Sequence, residues 1–516
     1  MKVNISDGLG LDHFIQRNPK ARLPKISPTV EETSYLDPED ISGLGRKVKY
    51  VTYGCQMNVN DMEIVRSILK SKDYVETEEL LDADVVVLIT CSIREGAEDK
   101  VWRELRRIRH VARRKPIVGV LGCMAERVRH GLLSKKGLVD VVAGPDAYRD
   151  LPRLLAVARA GSSAINVQLS VEETYADVRP VRVDERAKTA FVSIMRGCDN
   201  MCTYCVVPLT RGRERSRPID SIIEEVRRLS YEGVKQVTLL GQNVNSYRDM
   251  SESVHVMGEP VTTSTVPGFS TVYKPKIGGR TFLTLLDKIS EIDPEMRIRF
   301  TSPHPKDFPV EVIQLIKERP NICNQLHLPA QSGDDAVLER MGRGYTRELY
   351  LGLVETIRRV LPDVSLTSDF IAGFCGETEE AHQKTVDLIH DVKYSFCYVF
   401  PYSMREKTRA HYRLVDDVPE DVKRRRHEEL ASAFREESLA IHQSLIGSEQ
   451  LVLVEGPSKR SPTALQGRAD SGSKVIFENT NGYEPGDYVV VRITGCSSQT
   501  MQGESLRRTT VKEFYG

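Results

Sequence analysis

The sequence predicts an α/β protein in three parts: an N-terminal domain on a parallel sheet, a partial barrel of six βα units, and a small C-terminal β-barrel. Three observations carry this. Strand-like and helical runs alternate from Lys47 to Ala143, the pattern of a parallel sheet covered by helices. Six further strand-like runs, most followed by a helical run, lie between Phe191 and Tyr402. After Gln450 the chain breaks into short β-rich runs separated by Gly, Pro, Ser and Asn, which suggests a small barrel. A length of 516 residues agrees with about three domains at ~150 residues each.

Residues 1–45 are rich in Pro, Asp, Glu and Ser without apolar periodicity and read as a disordered extension. The first domain, 46–162, opens with a strand at Val48–Thr52 and a helical period over Asp61–Leu69. Asp84–Thr90 is nearly all apolar, as in a strand buried on both faces. Glu95–Arg114 reads as a helix, and Pro116–Leu121 and Val139–Ala143 read as strands. Cys55, Cys91 and Cys123 each follow a strand, 36 and 32 residues apart (55 to 91, 91 to 123). Parallel strands put their carboxyl ends on one edge, where open α/β sheets place ligands. The three cysteines therefore converge. One alone would be core; three at the same topological position favour a cluster. The basic helix Val101–Lys115 reads as a solvated face, with phosphate contact as the alternative.

A polar stretch, Ser162–Lys188, leads to the second domain, 184–441. Its strands are expected at Phe191–Met195, Gln236–Leu240, Arg297–Thr301, Gln325–Ala330, Val364–Ile371 and Ser395–Tyr402. In βα barrels the site lies at the carboxyl ends of the strands. The loop after the first strand holds Cys198, Cys202 and Cys205 at C-x3-C-x2-C spacing. Three thiolates on one loop can hold three irons of a [4Fe–4S] cube and leave one iron open. Zinc would want a fourth ligand, and no nearby Cys or His pair supplies one. Later strand ends carry polar and glycine-rich runs. These are Gly241-Gln242-Asn243, His304 in Ser-Pro-His-Pro, His327, and Gly373 to Glu377 in Gly-Phe-Cys-Gly-Glu. Together they fit a cofactor pocket, although each alone is a common turn. Met250–Gly279 has no period and reads as a disordered insertion. Glu420–Ile441 is a charged helix leading to the last domain, 443–514, with strands expected at Gln450–Glu455, Lys474–Glu478, Tyr488–Ile493 and Val511–Phe514.

Formal net charge is +0, so RNA contact must come from local basic patches. No apolar run reaches the ~20 residues of a membrane span. Ten cysteines in a chain this long point to metal ligation in a reducing compartment. Cys323, Cys397 and Cys496 have no partner at ligand spacing.

The C-x3-C-x2-C loop with Tyr204 before its last cysteine resembles the radical S-adenosylmethionine enzymes. Thr52-Tyr-Gly-Cys-Gln-Met-Asn-Val-Asn-Asp61 is similar to the MiaB-type signature of the methylthiotransferases. The domain order resembles that family too, from about Lys47 to Thr510, with a terminal TRAM barrel that binds RNA. Cys91-Ser-Ile-Arg-Glu, Gly144-Pro-Asp-Ala-Tyr and Cys198-Asp-Asn-Met-Cys are most like its animal mitochondrial branch. The resemblance implies conversion of N6-isopentenyladenosine beside the anticodon of mitochondrial tRNAs to its 2-methylthio form. It implies two [4Fe–4S] clusters, on Cys198, Cys202 and Cys205 and on Cys55, Cys91 and Cys123. It also implies S-adenosylmethionine bound near Tyr204, Gly241, Gln242, Asn243, Gly373, Gly376 and Glu377. The implied partners are a tRNA anticodon stem-loop and an electron donor, with a cyclin-dependent kinase activator as a candidate protein partner; the implied compartment is mitochondrial, with the cytoplasm as a second location. The alternatives are methylthiolation of threonylcarbamoyladenosine, or non-enzymatic binding of the kinase activator. Cys375 departs from the proline usual in Gly-Phe-Pro-Gly-Glu.

Overall fold

The computed structural model describes residues 39–92, 95–111, 115–134, 137–251 and 278–516. Most of the expected N-terminal extension and of the 250–279 insertion lies outside the described residues.

The first domain is a six-stranded sheet: β1 (Lys47–Thr52), β2 (Val75–Glu76), β3 (Val85–Thr90), β4 (Ile117–Gly122), β5 (Val141–Ala143) and β6 (Ala164–Asn166). Its order is β2-β1-β3-β4-β5-β6, with every pair parallel. All six residues of β3 are buried, because helices cover both faces. Its side chains divide by the strand period of two. Val85, Val87 and Ile89 join one apolar layer, and Val86 and Leu88 join the other. β6 lies in the stretch that reads as linker. It is too short to announce itself, but it completes the sheet edge.

The second domain is a partial barrel in two parallel halves. One is β7 (Thr189–Ser193), β8 (Gln236–Leu240) and β9 (Arg297–Phe300); the other is β10 (Gln325–His327), β11 (Ser365–Ala372) and β12 (Phe396–Pro401). A lone bridge from Ile298 to Ile322 joins β9 to the chain entering β10. One apolar core runs through both halves, and the helix Glu420–Ser444 adds Leu430 and Phe434 to it.

The third domain is a closed barrel, β13 (Glu449–Pro457), β14 (Ala464–Arg468), β15 (Lys474–Glu478), β16 (Tyr488–Cys496) and β17 (Thr500–Thr509). Its order is β13-β14-β15-β17-β16. The strand expected at Val511–Phe514 is instead a helix, Val511–Tyr515. Thr510 and Glu513 form a reciprocal capping box at its start, and that cap outweighs the β-propensity of Val, Phe and Tyr.

The small barrel docks under the central one. Tyr488 donates from its hydroxyl to the carbonyls of Lys235 and Glu295, just ahead of β8 and β9. Arg297 donates to the carbonyls of Arg468 and Leu451, at 2.9 and 2.7 Å. These are the amino ends of the central strands, so the carboxyl ends stay clear for the first domain.

Candidate functional site

Cys198, Cys202 and Cys205 sit on the loop that leaves β7. A two-residue ribbon, Met195–Arg196 with Arg215–Ser216, holds its base. Gly197 has φ +76, and a Cβ there would stand 2.1 Å from the Arg213 carbonyl oxygen, so the turn requires glycine. The loop tip is tied to the end of the helix Asp335–Met341. Thr203 donates from its amide to Met341 and from its hydroxyl to Arg340, both at 2.8 Å. Arg343 donates to the Cys202 sulfur at 3.6 Å. Burial, and then the charge of the neighbouring thiols, pushes Cys205 up to about 12 and Cys198 well above the usual thiol range.

Cys55, Cys91 and Cys123 stand at the ends of β1, β3 and β4, which are neighbours in the sheet. Two glycines bring them together. Gly54, at φ +130, would press a Cβ to 2.7 Å from that of Cys91; Gly122, at φ +90, would put one 2.8 Å from the Thr90 carbonyl. A hydrogen bond with Cys91 lowers Cys55 to about 6. Burial raises Cys123, against the pull of Arg211. Cys205 also feels the charge of Cys123, so the two triads lie within electrostatic reach.

The donor set fits an iron–sulfur cube at each place: three thiols, sulfur only, with a mutual repulsion that bound iron would relieve by holding them deprotonated. Among the described residues no group of three or more His, Cys, Asp or Glu side chains is set to hold a single metal ion. A cube spans thiolates that stand further apart than the ligands of one ion.

The remaining expected residues divide into two sets. Tyr204 meets Phe374 edge to face at 6.3 Å between ring centroids, and Phe374 meets Tyr402 at 4.8 Å; this makes an aromatic wall beside the cysteine loop. At Gly241 a Cβ would stand 2.6 Å from Met195 Cγ. Gln242 keeps a buried Oε1 without a partner among the described residues. Asn243 donates to Asp307 at 2.8 Å and accepts the His304 amide at 3.2 Å. At the end of β11 the geometry is different. Glu377 accepts the Gly373 amide at 2.6 Å and pairs with Arg426 at 3.0 Å, while Gly376 donates to Asp417 at 2.7 Å. That carboxyl is committed to its own turn and to the helix Glu420–Ser444; burial raises it to about 7.

His304 is buried and held well below the usual imidazole range by burial, then by Arg343 and Lys306. Its Nδ1 accepts the Lys306 amide, which leaves the proton on Nε2. That nitrogen has no partner among the described residues. His327 is hydrogen-bonded to Thr367 at 2.9 Å and stands 3.4 Å from Asp369. In the basic helix, Arg109 pairs with Asp140 and Arg107 with Glu104.

Sequence reasoning missed the ion network between the domains. Asp61 is fully buried and takes Arg196 at 2.7 Å and Arg211 at 2.6 Å. Burial alone would raise its carboxyl, but the two guanidiniums hold it below the usual range. The signal was available in Thr210-Arg-Gly-Arg-Glu-Arg-Ser-Arg217, a basic run directly after the cysteine loop. Arg215 and Arg217 there are buried against Asp146 and Glu225, while Arg213 points outward.

Three family models match the chain: the Radical SAM superfamily over 192–389, the uncharacterized protein family UPF0004 over 47–144, and the TRAM domain over 443–506. A "CDK5RAP1-like protein" of Caenorhabditis elegans is 63% identical over 98% of this chain and 93% of its own. The "Mitochondrial tRNA methylthiotransferase CDK5RAP1" of Mus musculus is 54% identical over 99% and 89%. A "tRNA-2-methylthio-N(6)-dimethylallyladenosine synthase" of Chloroherpeton thalassium is 46% identical over 89% and 96%.

Proposed function

The chain belongs to the radical S-adenosylmethionine tRNA methylthiotransferases, and from that premise we propose that it places a methylthio group on C2 of N6-isopentenyladenosine beside the anticodon of mitochondrial tRNAs. The observation that carries this reading is the pair of cysteine triads on facing strand ends. Cys198, Cys202 and Cys205 would hold the radical-generating [4Fe–4S] cluster. Cys55, Cys91 and Cys123 would hold the auxiliary one. With S-adenosylmethionine bound, the clusters would supply radical and sulfur-insertion chemistry, which acid–base side chains cannot perform on an unactivated C–H.

The chain's own residues do the holding. Gly197, Gly54 and Gly122 fold the cysteine loops. Tyr204, backed by the buried Phe374 and Tyr402, gives an apolar surface for an adenosine face. His304 offers an N–H donor that stays neutral at physiological pH. Glu377 supports this pocket through the Gly373 turn rather than by contact with a ligand. The adenosine must leave the anticodon stack to reach the site, which costs less from a loop than from a duplex.

RNA contact is assigned to the C-terminal barrel, whose Arg492, Arg507 and Arg508 are about half exposed in pairs with Glu449 and Asp487. The electron donor, a kinase activator as protein partner, and residence in mitochondria are proposals carried by the relatives and the resemblance; copurification and cell fractionation test them. The substrate is tested by mass analysis of tRNA nucleosides from cells lacking the protein. Loss of the 2-methylthio-isopentenyl nucleoside is expected. Loss of the threonylcarbamoyl counterpart instead would overturn the assignment.

A further inference from the structure

Arg211 belongs to the radical loop by sequence but to the other triad by contact. It ends the short helix Val207–Thr210 that follows Cys205. Its Nε donates to the Cys123 sulfur at 3.3 Å. Its Nη2 donates to Asn58 Oδ1 at 3.3 Å and to Asp61 at 2.6 Å. Its Nη1 has no partner among the described residues, although the side chain is only 3% exposed. The Asp61 carboxylate also takes Arg196, which in turn stands 3.8 Å from Glu173. Arg211 and Asp61 therefore form a buried dipole with its positive end on the Cys123 sulfur. Burial strengthens such a charge, because little solvent screens it.

The reduction potential of an iron–sulfur cluster depends on its net charge and on hydrogen bonds to its sulfurs. An added electron makes the cluster more negative, and a cation beside a ligand sulfur favours that state. An added sulfur ligand is also anionic, and the unpartnered Nη1–H is a donor suited to it. We propose that Arg211 is a positioning residue of the auxiliary site, raising the potential of the cluster on Cys55, Cys91 and Cys123 and fixing that site to the radical loop. This rests on the two-cluster reading above.

The test uses the full-length chain with Cys198, Cys202 and Cys205 all changed to alanine, reconstituted without oxygen, so that the auxiliary cluster is read alone. Potentiometric titration followed by electron paramagnetic resonance gives its midpoint. Arg211→Met is expected to move the midpoint negative by at least about 59 mV, the shift of one tenfold change for a one-electron couple. Arg211→Lys keeps the charge but loses the fork, so a smaller negative shift is expected. Asp61→Asn removes the opposing carboxylate and is expected to shift the midpoint positive. Mere loosening of the seam would move both sites' variants the same way. Should Arg211→Met not fold, the opposite signs of Arg211→Lys and Asp61→Asn still decide. Equal signs, or an unmoved midpoint, overturn the role of Arg211. Fewer than about four irons with Arg211 intact overturns the two-cluster reading, and this inference with it.

Discussion

Cys198, Cys202 and Cys205 lie on one loop; Cys55, Cys91 and Cys123 come from three strands. The first triad is shaped by its own turn, by Gly197 and by ties to Met341 and Arg340. The second exists only when a six-stranded sheet has formed, because its parts are joined by the register of β1, β3 and β4. The difference teaches that the two sites should fail separately. Damage to the sheet edge reaches one cluster, and damage to the β7 loop reaches the other. Arg211 is the exception that crosses between them.

The largest expected effect is from Cys202→Ala. With two thiolates left on the loop, no iron is held open for S-adenosylmethionine, and both 5′-deoxyadenosine and methylthio product should fall to background under reducing conditions. Cys91→Ala should separate the two outputs. Product should vanish, 5′-deoxyadenosine should persist within about twofold, and iron should drop from about eight to about four per chain. Methylthio product at the wild-type level from Cys91→Ala would break the comparison at its root.

A subtler break uses glycine. Gly122→Ala must adopt φ +90 and bring its Cβ to 2.8 Å from the Thr90 carbonyl, a strain of about 1–3 kcal/mol. Gly161→Ala has nearly the same φ, +93, but meets nothing within 4 Å. Iron counting should give low auxiliary occupancy for Gly122→Ala with the radical cluster kept, and both clusters for Gly161→Ala. Equal occupancy in the two variants would mean that close approach at the β4 end is not what assembles the auxiliary site.

How far the sequence disclosed this follows the same division. The cysteine loop could be read directly, because its spacing is local. The second triad could be read because βα alternation puts strand ends on one edge. The basic run Thr210–Arg217 announces the arginines, but their pairing with Asp61 could not be read, since nothing local joins residues 150 positions apart. In the last domain β17 went unread: Gln502, Glu504, Arg507 and Arg508 give a surface strand little apolar pattern. Glu377 reads as a pocket residue from its motif, and only packing against Arg426 commits it to the turn.

The smallest predicted effect concerns the seam behind the sheet-borne triad. Glu63 lies on the helix Gln56–Lys70, which begins directly after Cys55. It is buried and accepts the Val183 amide at 3.3 Å. Burial, and then the charge of Glu225, raises its carboxyl to about 7, although Val183, Arg182 and Arg66 pull the other way. The folded state thus holds this proton more tightly than the unfolded chain, whose glutamate titrates near ~4.3. The sign follows from linkage: the stabilisation is complete below the unfolded value and is lost as pH rises through about 7. Glu63→Gln carries no titrating group and should escape that loss. Its thermal midpoint should match the wild type near pH 4 and exceed it by about 3 °C at pH 8, because a shift from ~4.3 to about 7 is worth ~3–4 kcal/mol and each kcal/mol moves the midpoint by ~1 °C in a chain of this size. Glu126 and Glu377 are raised in the same way, but they are common to both proteins and cancel in the difference. A difference that is constant from pH 4 to 8 would show that the Glu63 carboxyl is not raised by folding. The seam beneath the auxiliary triad would then be no more pH-sensitive than the loop that carries the radical triad.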